Sequence, residues 1–183
     1  MNYASIKKMD VANGPGIRMS LFVSGCTHHC KGCFNEEAWD FNYGNPFTQK
    51  EIDYIVDYVS DEHIKGLTLL GGEPLEHVNQ QGLLPLLRQL RSKCPKKTIW
   101  CFTGYDFEKD VISRMMKEYP ETPELLSYID VIVDGRFVEE LKDLSLRFKG
   151  SSNQRTIDVK KSLDAGRVVL YDLSQGDYDK IVY

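Results

Sequence analysis

The chain has 183 residues and a mass of 21.0 kDa, which is the size of one domain with a full hydrophobic core. Its net charge of −4 argues against a broad basic surface for nucleic acid, and 42% apolar residues are ordinary for a globular protein. The polar first residues do not resemble a signal peptide, and no apolar run approaches the length of a membrane span. We therefore expect a cytoplasmic protein that contacts neither membrane nor nucleic acid.

Predicted strands and helices alternate along the chain. The first predicted strand, residues 18–24, ends at a loop rich in cysteine. A helix is predicted at 48–61, because Thr48 and Glu51 make a capping-box sequence and apolar residues recur on one helical face.

The chain from residue 66 onward repeats this alternation. A short apolar strand at 66–70 ends in the sequence GGEP at 71–74. The further predicted elements are, in chain order, a leucine-rich helix that ends near residue 94, a strand at 98–103, a helix at about 107–119 and a strand at 130–134. A weaker strand is predicted at 156–159, and residues 168–172 are a candidate edge strand.

The repetition of strand, loop and helix predicts an α/β fold with a parallel sheet and right-handed crossovers. Four units and a weaker fifth are too few for a closed eight-stranded barrel, so we expect an open, partial parallel β/α barrel. Ligands of such sheets bind beyond the carboxyl ends of the strands. We expect one domain over residues 1–155 and a C-terminal extension, residues 156–183, which packs on it and whose last residues are loosely held.

Three of the five cysteines, Cys26, Cys30 and Cys33, lie within the stretch GCTHHCKGCFN. In a reducing compartment, clustered cysteines indicate metal binding or catalysis rather than disulfides. A 4Fe-4S cluster needs one ligand for each iron, and a C-x3-C-x2-C loop supplies three thiolates and leaves the fourth iron open to a small molecule. Cys94, before a proline, and Cys101, within a predicted strand, are interpreted as structural thiols.

Zinc is the alternative metal for this loop, since His28 or His29 would complete a Cys3His set. A structural zinc site does not require a preceding strand or a glycine turn at the end of the next strand, so the context favours the cluster. Both histidines are then interpreted as solvated loop residues. A zinc-stabilised binding module without chemistry stays open as a competing function.

Several motifs carry a family resemblance. NGPGIR at 13–18, FVSGC with its cysteine spacing, and GGEP together resemble the radical S-adenosylmethionine family, in particular the activases of glycyl radical enzymes. TGY at 103–105, VDGRF at 133–137 and GSSNQR at 150–155 resemble the branch that acts on anaerobic ribonucleoside-triphosphate reductases. The chain departs from this pattern at Glu73, where relatives often have Asp, and in its extension after residue 155.

The resemblance implies a mechanism. S-adenosylmethionine would chelate the open iron, and one-electron reduction would cleave it to a 5′-deoxyadenosyl radical that takes hydrogen from a partner glycine. The implied partners are a glycine-bearing loop of an anaerobic ribonucleoside-triphosphate reductase and an electron donor of the flavodoxin or ferredoxin type. Another glycyl radical enzyme, or another radical substrate, is the alternative partner.

The resemblance also implies a set of site residues. Cys26, Cys30 and Cys33 would be the catalytic cluster ligands. The implied cofactor-binding residues are Gly32, Cys33, Phe34, Gly71, Gly72, Glu73, Thr103 and Asp134. Tyr105 and the polar run of Ser151, Ser152, Asn153, Gln154 and Arg155 are further candidate contacts, with a solvated loop as the alternative for the run.

Four of these residues have a competing structural interpretation. Gly32 allows a tight bend between two ligands. Phe34 either walls the cluster and touches the adenine or is a core aromatic. Glu73 either binds the cofactor ammonium or sets the turn that contains it. Asp134 either reaches a ribose hydroxyl or caps the following segment.

Overall fold

The computed structural model describes residues 1–175 and shows a mixed α/β fold built on one seven-stranded sheet. The strands are β1 (Asn2–Asp10), β2 (Arg18–Val23), β3 (Asn45–Pro46), β4 (Gly66–Gly71), β5 (Thr98–Phe102), β6 (Val131–Asp134) and β7 (Arg155–Asp158). Their order across the sheet is β3-β1-β2-β4-β5-β6-β7. The four central strands β2, β4, β5 and β6 are parallel, which confirms the predicted parallel core.

The outer strands are antiparallel to their neighbours. β1 and β3 were not predicted, because β1 is mostly polar and β3 has two residues. The prediction that 156–159 continues the parallel series is wrong, since β7 runs antiparallel to β6. Residues 135–154 contain only the short 3-10 helix Glu139–Leu141, so no crossover helix returns the chain to the other end of the sheet.

The helices lie where the sequence predicted helices, with two additions. They are α1 (Gln49–Ser60), α2 (His77–Lys93), α3 (π-helical Phe107–Met115 followed by the α-helical turn Met116–Glu118), α4 (Glu121–Tyr128) and α5 (Val159–Ala165). The predicted capping box at the start of α1 is present, since Thr48 N donates to Glu51 Oε2 over 2.8 Å and the Thr48 side chain accepts in return. α4 and α5 are short helices that the sequence pattern did not indicate.

The main core lies between the sheet and the helices. Alternate strand residues, such as Leu67 and Leu69 on β4, are fully buried against α1 and α2. Cys94 and Cys101 belong to this core as well. None of the helices among the described residues is long and apolar enough to cross a membrane.

The other face of the sheet carries a second cluster, centred on Trp100. The rings of Phe148 and Tyr171 contact Trp100 edge-on, each with a centroid separation of 5.5 Å. Tyr171 is held there because its N–H donates to Thr156 O on β7 over 2.9 Å. The expected edge strand at 168–172 is thus a single bridge, Ile157 to Leu170.

The extension begins inside the fold. The predicted division between residues 155 and 156 falls within β7, and the two-part division of the chain stays a prediction. Residues 176–183, which were expected to be loosely held, lie outside the described residues.

Candidate functional site

A cleft with a volume of about 410 Å³ lies beyond the carboxyl ends of the parallel strands. It brings together most of the residues that the sequence singled out. The predicted cluster and cofactor residues that line the cleft are Cys26, Cys30, Gly32, Cys33, Phe34, Gly71, Gly72, Glu73 and Thr103. Asp134 and Tyr105 are outside this lining. The loop at 142–150 also lines the cleft, through residues such as Leu144 and Phe148, and no sequence signal had indicated it.

The cysteine loop, residues 24–35, is anchored at its start by backbone hydrogen bonds. Gly25 N donates to Ala38 O over 2.8 Å, and Cys26 N donates to Trp39 O over 3.2 Å. The loop then bends through positive φ angles of +50° at His29 and +70° at Gly32. Gly32 therefore supplies the bend between two candidate ligands that the sequence predicted for it.

The thiols of this loop are free and carry polar partners. Burial raises the pKa of Cys26 to about 12, while the backbone N–H groups of His28 and His29 favour its thiolate. Burial also raises the pKa of Cys30, which the N–H of Phe137 opposes. Cys33 Sγ accepts from Asn35 N over 3.5 Å. All three sulfurs thus have N–H donors in place, and a bound cation would offset the cost of the buried thiolates. This donor set fits an iron–sulfur cluster.

A single zinc ion and an iron–sulfur cluster place different demands on the spacing of the three thiols. Zinc–sulfur bonds of about 2.3 Å would hold the bound sulfurs within roughly 4 Å of one another. Among residues 1–175, no three Cys, His, Asp or Glu side chains converge in a way that would hold one ion. A 4Fe-4S cluster instead spreads its ligands over separate irons.

The two glycines after β4 are required by close backbone packing. Gly71 has a φ of +110°, and a Cβ there would lie 2.7 Å from Phe22 Cα and Val23 N. A Cβ on Gly72 would lie 2.6 Å from Gly25 O and 2.8 Å from Ala38 O. The turn therefore packs directly on the base of the cysteine loop. A larger residue at Gly72 would shift that loop, and one at Gly71 would clash with the end of β2.

Phe34 and the two loop histidines differ from one another in exposure. Phe34 is 82% exposed at the edge of the cleft, so the core-aromatic interpretation is wrong. His29 is exposed and lies against the ring of Trp39, as expected of a loop residue. The interpretation of His28 as solvated is wrong, because its side chain is 4% exposed and contacts Glu73. That partner is 45 positions away in the sequence, so no local pattern indicated it.

Asp134 is buried and held by protein groups. Its carboxylate accepts from Phe107 N over 2.9 Å and from Arg155 Nη2 over 2.5 Å. This ion pair raises the pKa of Arg155 above its usual range. The prediction that Asp134 caps the following segment is wrong, because the N–H group that its carboxylate binds lies at the start of α3, which precedes β6 in the chain.

The polar run at 150–155 stabilises the loop between β6 and β7. Gln154 Oε1 accepts from Gly150 N, and its Nε2 donates to Gly135 O over 2.9 Å. Asn153 Nδ2 donates to Arg136 O over the same distance. Ser151 is buried, whereas Ser152 is exposed. The solvated-loop interpretation is therefore wrong for Ser151 and Gln154, whose contacts fold this loop against the end of β6.

The cysteine loop is also tied to the segment after β6. Lys31 Nζ lies 3.0 Å from Glu139 Oε2. A Cβ on Gly32 would lie 2.9 Å from the Glu139 side chain. VDGRF and the residues that follow it thus contact the loop that carries the candidate ligands.

Residues 12–157 match the family model described as a 4Fe-4S single cluster domain, so the chain belongs to this class of iron–sulfur proteins. More narrowly, it belongs to the family of anaerobic ribonucleoside-triphosphate reductase-activating proteins. The member from Escherichia coli (strain K12) is 43% identical over 156 residues, which cover 84% of this chain and 96% of the relative. The Vibrio cholerae member is 42% identical with the same coverage. The member from Enterobacteria phage T4 is 39% identical over 85% of this chain and 92% of its own.

Proposed function

We propose that this chain activates an anaerobic ribonucleoside-triphosphate reductase by generating a glycyl radical in it. The observation that carries the proposal is the set of three free cysteines in one cleft, in a chain 43% identical to a protein named as such an activase. When bound, a 4Fe-4S cluster and S-adenosylmethionine supply a 5′-deoxyadenosyl radical on one-electron reduction, and this radical removes hydrogen from a glycine of the reductase.

Cys26, Cys30 and Cys33 hold the cluster in this proposal, and the fourth iron stays open for S-adenosylmethionine. The arrangement is supported by the backbone N–H donors on all three sulfurs. Gly71 and Gly72 place bare backbone at the cleft, where the methionine part of the cofactor binds. The sheet that holds these residues acts as the open, partial barrel of the radical S-adenosylmethionine type.

The cleft walls would orient the cofactor and keep water from the reacting atoms. Thr103 lies on the cleft floor, and the ring of Phe34 lies at its edge. Because the radical is too reactive to diffuse, the partner glycine must enter the cleft itself. A glycine suits this role, since its Cα radical is stabilised by the flanking amides and no side chain blocks the approach. The electron comes from a flavodoxin- or ferredoxin-type donor.

Cofactor cleavage tests this proposal. Anaerobically purified protein is loaded with iron and sulfide, and S-adenosylmethionine and a reductant are added. We expect 5′-deoxyadenosine and methionine in equal amounts, and neither product in protein kept free of iron. Protein that carries a full cluster and releases no 5′-deoxyadenosine would overturn the radical mechanism. Protein that takes up zinc but no iron and sulfide would favour the binding-module alternative.

A further inference from the structure

His28 is the residue of the cysteine loop that reaches into the interior. Its Nε2 lies 3.0 Å from Glu73 Oε2, and both side chains are almost fully buried. The ring contacts Tyr105 edge-on at a centroid distance of 4.3 Å. A Cβ on Gly104 would lie 2.4 Å from the ring, so the backbone of the next loop is packed directly on it. His28 is therefore fixed on three sides.

The carboxylate of Glu73 joins three segments of the cleft floor. Oε1 accepts from Leu75 N and from Thr103 Oγ1, each over 2.8 Å. Oε2 accepts from Gly104 N over 2.7 Å and is in contact with the His28 ring. Because a carboxylate only accepts, the ring nitrogen that faces it carries the proton and donates. His28 thus links the cysteine loop to both the turn after β4 and the turn after β5. The neighbouring Thr27 Oγ1 adds a second link, since it donates to Glu76 Oε1 over 2.5 Å.

The same junction is reinforced from α2. Asn79 is fully buried, and its Nδ2 donates to Ser24 O over 3.0 Å and to Glu73 O over 2.9 Å. Gly72 packs on the base of the cysteine loop from the other side. A compact polar network therefore fixes the position of the candidate ligands relative to the candidate cofactor-binding turns. No residue of that network is a cluster ligand.

We propose that His28 is a positioning residue which, through its hydrogen bond to Glu73, fixes the cysteine loop against the two turns that bind the cofactor. Glu73 then acts by organising the three segments rather than by binding the cofactor ammonium, since both of its oxygens already accept from protein donors. This inference rests on the proposed function. It assigns the histidine a role in cofactor affinity and none in cluster ligation.

The test compares three variants of the full chain. His28→Phe keeps a ring against Tyr105 and removes the hydrogen bond, and His28→Gln restores a donor. His63→Phe is the control, because His63 is exposed and does not line the cleft. Iron content, S-adenosylmethionine affinity and melting temperature are measured for each. The affinity is followed by the change in the electron paramagnetic resonance spectrum of the reduced cluster. The rate of tryptic cleavage after Lys31 is measured in cluster-free protein.

We expect His28→Phe to keep its iron but to bind S-adenosylmethionine about 10- to 100-fold more weakly, the range seen when residues that orient ligands are lost. Cleavage after Lys31 should be faster in the same variant, because the loop loses its tie to Glu73. His28→Gln should recover most of the affinity, and His63→Phe should behave as the wild type in iron content, cofactor affinity and cleavage after Lys31.

Other outcomes contradict the inference. The inference is wrong if His28→Phe binds S-adenosylmethionine as tightly as the wild type and is cleaved after Lys31 at the wild-type rate. If His28→Gln binds the cofactor no more tightly than His28→Phe, the shape of the ring matters and the hydrogen bond does not. A His28→Phe protein that fails to fold would make the residue a general structural one. If the wild type itself binds no S-adenosylmethionine, the proposed function fails, whereas the tryptic comparison still tests the positioning role.

Discussion

The three cleft cysteines differ from the two core cysteines in their surroundings and only partly in their exposure. Cys30 and Cys33 are partly exposed, but Cys26 is 8% exposed and Cys94 is 7% exposed, so burial alone does not separate the groups. Cys26 has two backbone N–H donors directed at its sulfur, whereas Cys94 and Cys101 pack among apolar side chains. Thiolates are stabilised by such donors and destabilised by apolar surroundings.

Replacement of single cysteines by alanine should therefore separate the two groups. We expect Cys26→Ala, Cys30→Ala and Cys33→Ala each to lose the cluster, because three thiolates are needed to hold it. Cys94→Ala is the control and should keep the wild-type content of iron and sulfide per chain, with a modest loss of stability from the small core cavity. A colourless Cys94→Ala protein beside a brown Cys30→Ala protein would refute the ligand assignment.

Residue-level predictions from the sequence succeeded where the signal was local. The spacing of the cysteines and the need for a bend at Gly32 depend on neighbours within a few positions, and the structure places these residues in one cleft. The burial of His28 and the pairing of Asp134 with Arg155 depend on partners 45 and 21 positions away. Without the fold, no pattern in the chain connects such pairs.

Helices and strands show the same difference between features that depend on local sequence and features that depend on distant parts of the chain. α1 was predicted from its capping box and its apolar face, which are properties of the helix itself. The direction of β7 depends on how the chain returns from the end of β6. The apolar pattern of a strand does not indicate whether the strand runs parallel or antiparallel to its neighbour.

The capping box of α1 offers a test of this local account. Thr48→Ala removes the side chain that caps the helix and should lower the free energy of unfolding by about 1 kcal/mol. Thr48→Ser keeps the hydroxyl and should stay close to the wild type. Urea unfolding followed by circular dichroism measures both. Equal losses in the two variants would mean that the methyl group, and not the hydrogen bond, matters at this position.

For the molecule as a whole, the sheet has helices on one face and the cleft with the Trp100 cluster on the other. The parallel order of the central strands follows from the alternation of strand and helix, and it correctly predicted where the cleft lies. The strand β1 was not predicted, because its residues are mostly polar and carry no apolar strand pattern. The contact of Tyr171 with Trp100 was not predictable, because the two residues lie far apart in the chain.

The transfer of a radical to the partner is the central claim, and one spectrum tests it most directly. The cluster-loaded protein is mixed anaerobically with S-adenosylmethionine, a reductant and an anaerobic ribonucleoside-triphosphate reductase, and the electron paramagnetic resonance spectrum is recorded. We predict a doublet from a glycyl radical with one α-hydrogen, which disappears when the glycine of the reductase is replaced by alanine. No doublet, in a mixture where the cluster is full and 5′-deoxyadenosine is released, would contradict the account and indicate a different radical substrate.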